Sequence, residues 1–134
     1  RRPRDVCLTA AAVDADCLSK QYREASARAG RISVLASKSD KALSMAYPLG
    51  DFASDILYDD DSPFRGALGR EGPRPQPSPP PVEHAQIPSA DAYDHGDYFE
   101  SGAFPRPQAS PAARWRRAVA FVARSYRGDP VAWR

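Results

Sequence analysis

Cysteine is scarce in this 134-residue chain, with only Cys7 and Cys17 present. Two cysteines do not make a disulfide framework in a chain of this size, and their spacing is not that of a metal site. Cys7 sits in an apolar run and Cys17 near an expected helix start. Both read as free thiols beside a core, and nothing in the sequence supports Cys17 as a nucleophile. Long apolar runs are missing too; none approaches the ~20 residues of a membrane-spanning helix. An excess of one charge is also missing. The net charge is +2, so the whole chain is not an electrostatic binder of nucleic acid. Methionine occurs once, at Met45, and the first residue is Arg1. The arginine pair at the start runs straight into an apolar segment, which is not a signal-peptide pattern. We read this start as that of a cut or incomplete gene product, and no compartment follows from it.

What is present suits one modest α/β domain with a single core. Apolar residues make up 42% and charged residues 27%, so the composition is that of a globular chain. The prolines are unusual. There are fourteen, and all but Pro3 and Pro48 lie after residue 62.

Residues 5–12 (DVCLTAAA) form a short apolar run bounded by charge, which predicts a buried strand of a parallel sheet. Asp14 or Asp16 is placed to cap a following helix, because a carboxylate accepts first-turn amide hydrogens. That helix is expected to run to about residue 29, with Leu18, Tyr22, Ala25 and Ala29 on one face and Gly30 as a left-handed cap. Residues 31–37 (RISVLAS) form the clearest strand. Strand, helix, strand in this order is a βαβ unit, so the two strands are expected to be parallel neighbours. Ser37-Lys38-Ser39-Asp40 then makes a loop, followed by a helical turn over 41–47 and another over 51–58. Asp59-Asp60-Asp61-Ser62-Pro63 reads as a solvated turn; it lacks the spacing and glycine of a calcium loop.

Residues 71–82 (EGPRPQPSPPPV) read as an extended, mobile, inserted loop. A last strand is expected at 84–87. The final helix is expected to start at Ser110-Pro111, with Trp115, Ala118, Val119, Val122 and Tyr126 as its buried stripe and Arg114, Arg117, Arg124 and Arg127 facing elsewhere. Gly128 and Pro130 end it. Residues 1–128 thus form the expected domain, with 129–134 as a tail.

In open α/β sheets, ligands bind at the carboxyl ends of the strands. The Asp14/Asp16 turn, the Ser37-to-Asp40 loop and the segment Asp91-Ala92-Tyr93-Asp94-His95-Gly96-Asp97-Tyr98 occupy that edge. An acid after one strand and a histidine after a later one is the order that an α/β-hydrolase triad needs. The stretch Ala10-Ala11-Ala12-Val13-Asp14-Ala15-Asp16, then Ser37-Lys38-Ser39-Asp40-Lys41-Ala42-Leu43 and Tyr93-Asp94-His95-Gly96-Asp97-Tyr98, resembles the C-terminal part of a bacterial family of α/β-hydrolases of uncharacterised function. The resemblance covers roughly residues 5–102 and implies that Asp40 is the triad acid and His95 the triad base. Two departures stand out. Val13 replaces a usual proline, and no G-x-S-x-G nucleophile elbow occurs in the chain. The fold's strand order would make the fragment a contiguous slab of about three strands at one edge of a larger sheet.

The resemblance therefore implies a serine hydrolase acting on an ester or related acyl compound, with Asp40 and His95 present and the nucleophile supplied by a missing N-terminal half. No cofactor is implied. Other readings stand beside this one. Without the resemblance, Asp40 reads as the N-cap of the helix after it, and His95 as a surface-loop histidine. His84, His95, Asp91 and Asp97 are conceivable zinc ligands, but nothing in their spacing demands three tightly placed donors. The chain is alternatively a non-catalytic remnant that binds a protein partner through a sheet edge. The arginine-rich last helix invites a nucleic-acid reading, which the near-neutral charge and the expected core stripe disfavour.

Overall fold

β2 (Arg31–Ser37) organises the molecule. From Ile32 to Ser37 every residue is buried, and successive side chains go to opposite faces. Ile32 and Val34 enter one apolar cluster and Leu35 enters another. A strand buried on both faces needs a layer on each side. β1 (Asp5–Thr9) and β3 (Val82–Ile87) flank it. Both pair parallel with β2, in register Val6 with Ile32 and Leu35 with Ala85. The order is β1-β2-β3, and the fold is α/β, as the sequence predicts. The computed structural model describes residues 3–45, 66–98 and 112–134. The helical turn expected at 51–58, the acidic turn at 59–63 and the Ser110-Pro111 helix start lie outside these.

α1 (Arg23–Arg28) and α2 (Leu68–Glu71) belong to the second face, where Cys17, Ile32, Val34, Leu68 and Val82 make the core. α1 is shorter than expected. Residues 15–22 are turns, and Asp16 does not cap a helix. Its carbonyl accepts from Ser19 and Lys20 amides, and its carboxylate pairs with Lys20 at 2.6 Å. Asp14 makes a bridge to Ala67 instead. Leu18 and Ala29 pack on the core as expected, whereas Tyr22 is exposed. Gly30 is not a left-handed cap. A Cβ there would stand 2.6 Å from the Arg4 carbonyl oxygen, so this glycine serves the close approach of β1 to β2.

α3 (Ala112–Arg127) covers the first face. Its buried stripe is Ala118, Phe121 and Ser125, packed over Leu35, Ala85 and Ile87. The expected stripe is rotated: Ala118 is buried, but Val119 is 50% and Tyr126 55% exposed. Phe121, absent from the expected stripe, is the large apolar side chain of the observed one. On the same face Ser125 donates to Ser33 of β2 at 2.6 Å inside the core. Gly128, at φ 81°, ends the helix as expected.

Residues 129–134 fold back. Val131 and Trp133 pack on the first cluster, and Arg31 donates to the Asp129 carbonyl. The proline-dense stretch is tied down as well. Glu71 closes α2 and Val82 opens β3, while Pro73 is fully buried. The Arg74 amide donates to the Ala15 carbonyl at 2.7 Å. Among the described residues, no helix is long and apolar enough to cross a membrane.

Candidate active site

Asp40 stands three residues beyond the carboxyl end of β2, and His95 follows β3. The sheet makes these strands neighbours, so residues far apart in sequence meet at one edge. His95 Nδ1 lies 3.0 Å from Asp40 Oδ2. Asp40 is fully buried and the His95 side chain is 40% exposed. The acid is thus out of water while the imidazole reaches it.

The Asp40 carboxylate has a second task. Its Oδ1 accepts the Leu43 amide at 2.9 Å, and its carbonyl accepts the Ser44 amide at 3.1 Å. That is the geometry of an N-cap, and residues 41–45 are helical. The cap and the histidine contact, weighed as alternatives in the sequence, use different oxygens of one side chain. Burying a carboxylate is costly unless its lone pairs are met; here each oxygen has a partner.

The loop carrying His95 is pinned by residues that the sequence reading did not assign to it. Asp94 Oδ1 accepts the amides of Lys41 and His95, at 2.9 and 2.8 Å. It therefore joins the loop to the helical turn that Asp40 caps. Asp97 is buried, accepts the Asp94 amide at 2.8 Å and pairs with Arg114 of α3 at 2.9 Å. Arg114 also donates to the Ala92 carbonyl at 2.9 Å. Ser37 donates to the Tyr93 carbonyl at 2.7 Å, and Tyr93 donates to the Arg114 carbonyl at 2.7 Å. Arg114 thus turns toward the site, contrary to expectation. So does Arg117, whose guanidinium lies 4.6 Å from the Trp133 ring centroid and 3.3 Å from Asp91.

Tyr98, buried beside Asp40, has its phenol pushed up, first by burial and then by the Asp40 carboxylate, with the Ser37 hydroxyl acting the other way. It stays protonated at neutral pH. Cys17 is buried, and burial with Asp14 and Asp16 pushes its thiol up to about 11. Burial raises Cys7 too. Neither thiol has the lowered pKa of a nucleophile. Among the described residues, no group of three or more His, Cys, Asp or Glu side chains is placed to hold a metal ion. Asp91 and Asp97 are otherwise engaged. His84 lines the second face near Gly72, Asp91 accepts from Trp133 Nε1 at 2.7 Å, and Asp97 holds Arg114.

Asp40 accepts at the imidazole's Nδ1, so the tautomer it favours carries its proton there. Nε2 is then left as the basic nitrogen. An oriented imidazole backed by a buried carboxylate can take a proton from a hydroxyl and return it to a leaving group. No family model, curated protein or solved structure matches the chain.

Proposed function

We propose that Asp40 and His95 are the acid and base of a serine-hydrolase triad that cleaves a carboxylic ester or related acyl compound. The carrying observation is the 3.0 Å contact between His95 Nδ1 and the fully buried Asp40. Strand order supports the reading. The acid follows the middle of three parallel strands and the histidine follows the outer one, as in the family that the sequence resembles. In that family the serine elbow follows the strand just before these three. β1, paired with β2 alone among the described residues, leaves an edge where such a strand would add.

The chemistry follows from the pair. His95 Nε2 takes the serine proton as the serine oxygen attacks the acyl carbon. Asp40 stabilises the imidazolium that forms. The proton passes to the leaving alcohol, and an acyl-enzyme remains. His95 then deprotonates water, which releases the acid and restores the serine. Asp94, Asp97 and Arg114 act through His95, as positioning residues.

The test is to read the coding DNA upstream of Arg1 and express the longer chain with p-nitrophenyl acetate as substrate. An in-frame strand, G-x-S-x-G and helix, with hydrolysis cut at least a hundredfold by His95→Ala, is the expected result. A longer chain that hydrolyses equally well with alanine at position 95 overturns the reading. An upstream sequence without a serine elbow does so too, and favours the non-catalytic, partner-binding alternative at the β1 edge.

A further inference from the structure

A cavity lies at the end of the sheet opposite the Asp40–His95 pair. It has a volume of about 220 Å³ and opens between α1 and the proline-dense stretch. Its walls include Leu18, Ala27, Pro79 and Val82, and Leu18 and Val82 also belong to the second core cluster. The floor is therefore a continuation of packed apolar core. α1 leads into the amino end of β2, and Val82 is the first residue of β3. The Asp40–His95 pair follows the carboxyl ends. The length of β2 separates the two by roughly 20 Å at ~3.3 Å per residue.

Three serines and two arginines break the apolar lining. Ser26 lines the cavity with its Oγ itself out of reach of solvent. Arg23 and Arg74 line the same cavity and are exposed. Neither has a carboxylate partner among the described residues, and no acidic side chain lines the cavity. The stretch that forms the far wall is fixed by the buried Pro73 and by Ser19, whose Oγ donates to the Arg74 carbonyl at 3.0 Å. The wall is built rather than loose.

We infer that this cavity binds a small monocarboxylate with an apolar body, a single ring or short chain. The body lies against Leu18, Ala27 and the prolines. The carboxylate faces the two guanidinium groups. A phosphate has no apolar body to use the floor, and a neutral amide leaves both cations unanswered. The volume is below that of a pocket for a drug-sized ligand, which limits the body's size. The site is independent of the triad reading and stands or falls apart from it.

The experiment is a titration of the full ¹⁵N-labelled chain with sodium benzoate, followed by amide chemical shifts, with benzamide and inorganic phosphate as parallel arms. Saturable shifts confined to residues 18–27 and 73–82 are expected. Benzamide and phosphate should each bind at least tenfold more weakly. Arg23→Gln with Arg74→Gln, both exposed positions that leave the core alone, should weaken benzoate at least tenfold. The inference is overturned if shifts do not saturate, or if they spread over the arginines of α3. Equal binding of benzamide or phosphate overturns it too, as does a double arginine variant that binds benzoate unchanged.

Discussion

Asp40 Oδ2 and His95 Nδ1 meet at 3.0 Å, while the other oxygen of the same carboxylate holds the Leu43 amide at 2.9 Å. One side chain therefore starts a helix and orients an imidazole. The two tasks separate by substitution. Asp40→Asn keeps an acceptor for Leu43 and should melt within a few degrees of the parent. Asp40→Ala removes the cap and should cost about 0.5–2 kcal/mol. In ¹⁵N spectra of the neutral imidazole, the parent should show the proton on Nδ1. Asp40→Asn, with its oxygen on Leu43 and its NH2 facing Nδ1, should shift the proton to Nε2, and Asp40→Ala should leave the tautomers mixed. A parent with its proton on Nε2 would contradict the assignment.

Arg114 links Asp97, the Ala92 carbonyl and the Tyr93 hydroxyl. Arg114→Ala leaves the buried Asp97 carboxylate short of a partner, at a cost of about 1–3 kcal/mol. Amide exchange over residues 92–98 should speed up more than exchange in β2. Uniform acceleration across the sheet would mean that Arg114 supports the fold rather than this loop.

Gly30 faces the Arg4 carbonyl so closely that a Cβ would stand 2.6 Å from it. The contact is with backbone, which cannot swing aside. Gly30→Ala should push β1 from β2 at its amino end and destabilise by about 1–3 kcal/mol. Denaturant unfolding measures it; a change within 0.3 kcal/mol would mean that β1 moves freely.

The raised thiol of Cys17 gives a pH signature. Its folded value, about 11, lies above the 9.0 of an ordinary thiol. From about pH 9 upward the unfolded chain has lost this proton while the folded chain keeps it. Stability from this group is thus full below pH 9 and falls as pH rises toward 11. Cys17→Ala should flatten that decline, with a constant loss from the small cavity it leaves. Fast alkylation of Cys17 at pH 8 in the native protein would contradict its burial.

Ser33 and Ser125 share a hydrogen bond inside the core. Either serine changed alone to alanine leaves a buried hydroxyl with one partner fewer, at about 1–3 kcal/mol. The double alanine variant should cost less than the sum of the two, and a double-mutant cycle reads the difference.

Elements whose apolar pattern is local were legible in the sequence. The run RISVLAS is β2 to the residue, and the parallel order of its neighbours follows from the crossovers between them. Asp40 and His95 were singled out by the family resemblance, which their order along the chain fits, and the sheet brings them together. What was not legible depends on polar contacts between distant segments. α3 buries Phe121 together with the Ser125–Ser33 hydrogen bond, and the expected stripe, drawn through Val119 and Tyr126, missed both. Asp94 and Asp97 flank His95 and, as turn-forming aspartates, carried a signal that was available. Arg114 carried none, because its partners lie on a loop whose course the sequence does not announce. Prolines suggested mobility at 71–82, but Pro73 is buried and Arg74 is held by Ala15.

Trp133 stacks edge-on against Tyr93, with ring centroids 4.9 Å apart, and donates to Asp91. The loop bearing His95 is thus latched by a residue made long after it. At roughly 5–20 residues per second, the stretch from His95 to Trp133 takes on the order of seconds to synthesise. Until Trp133 has emerged, the nascent chain carries its histidine on an unlatched loop, and the order of translation itself delays the site's assembly.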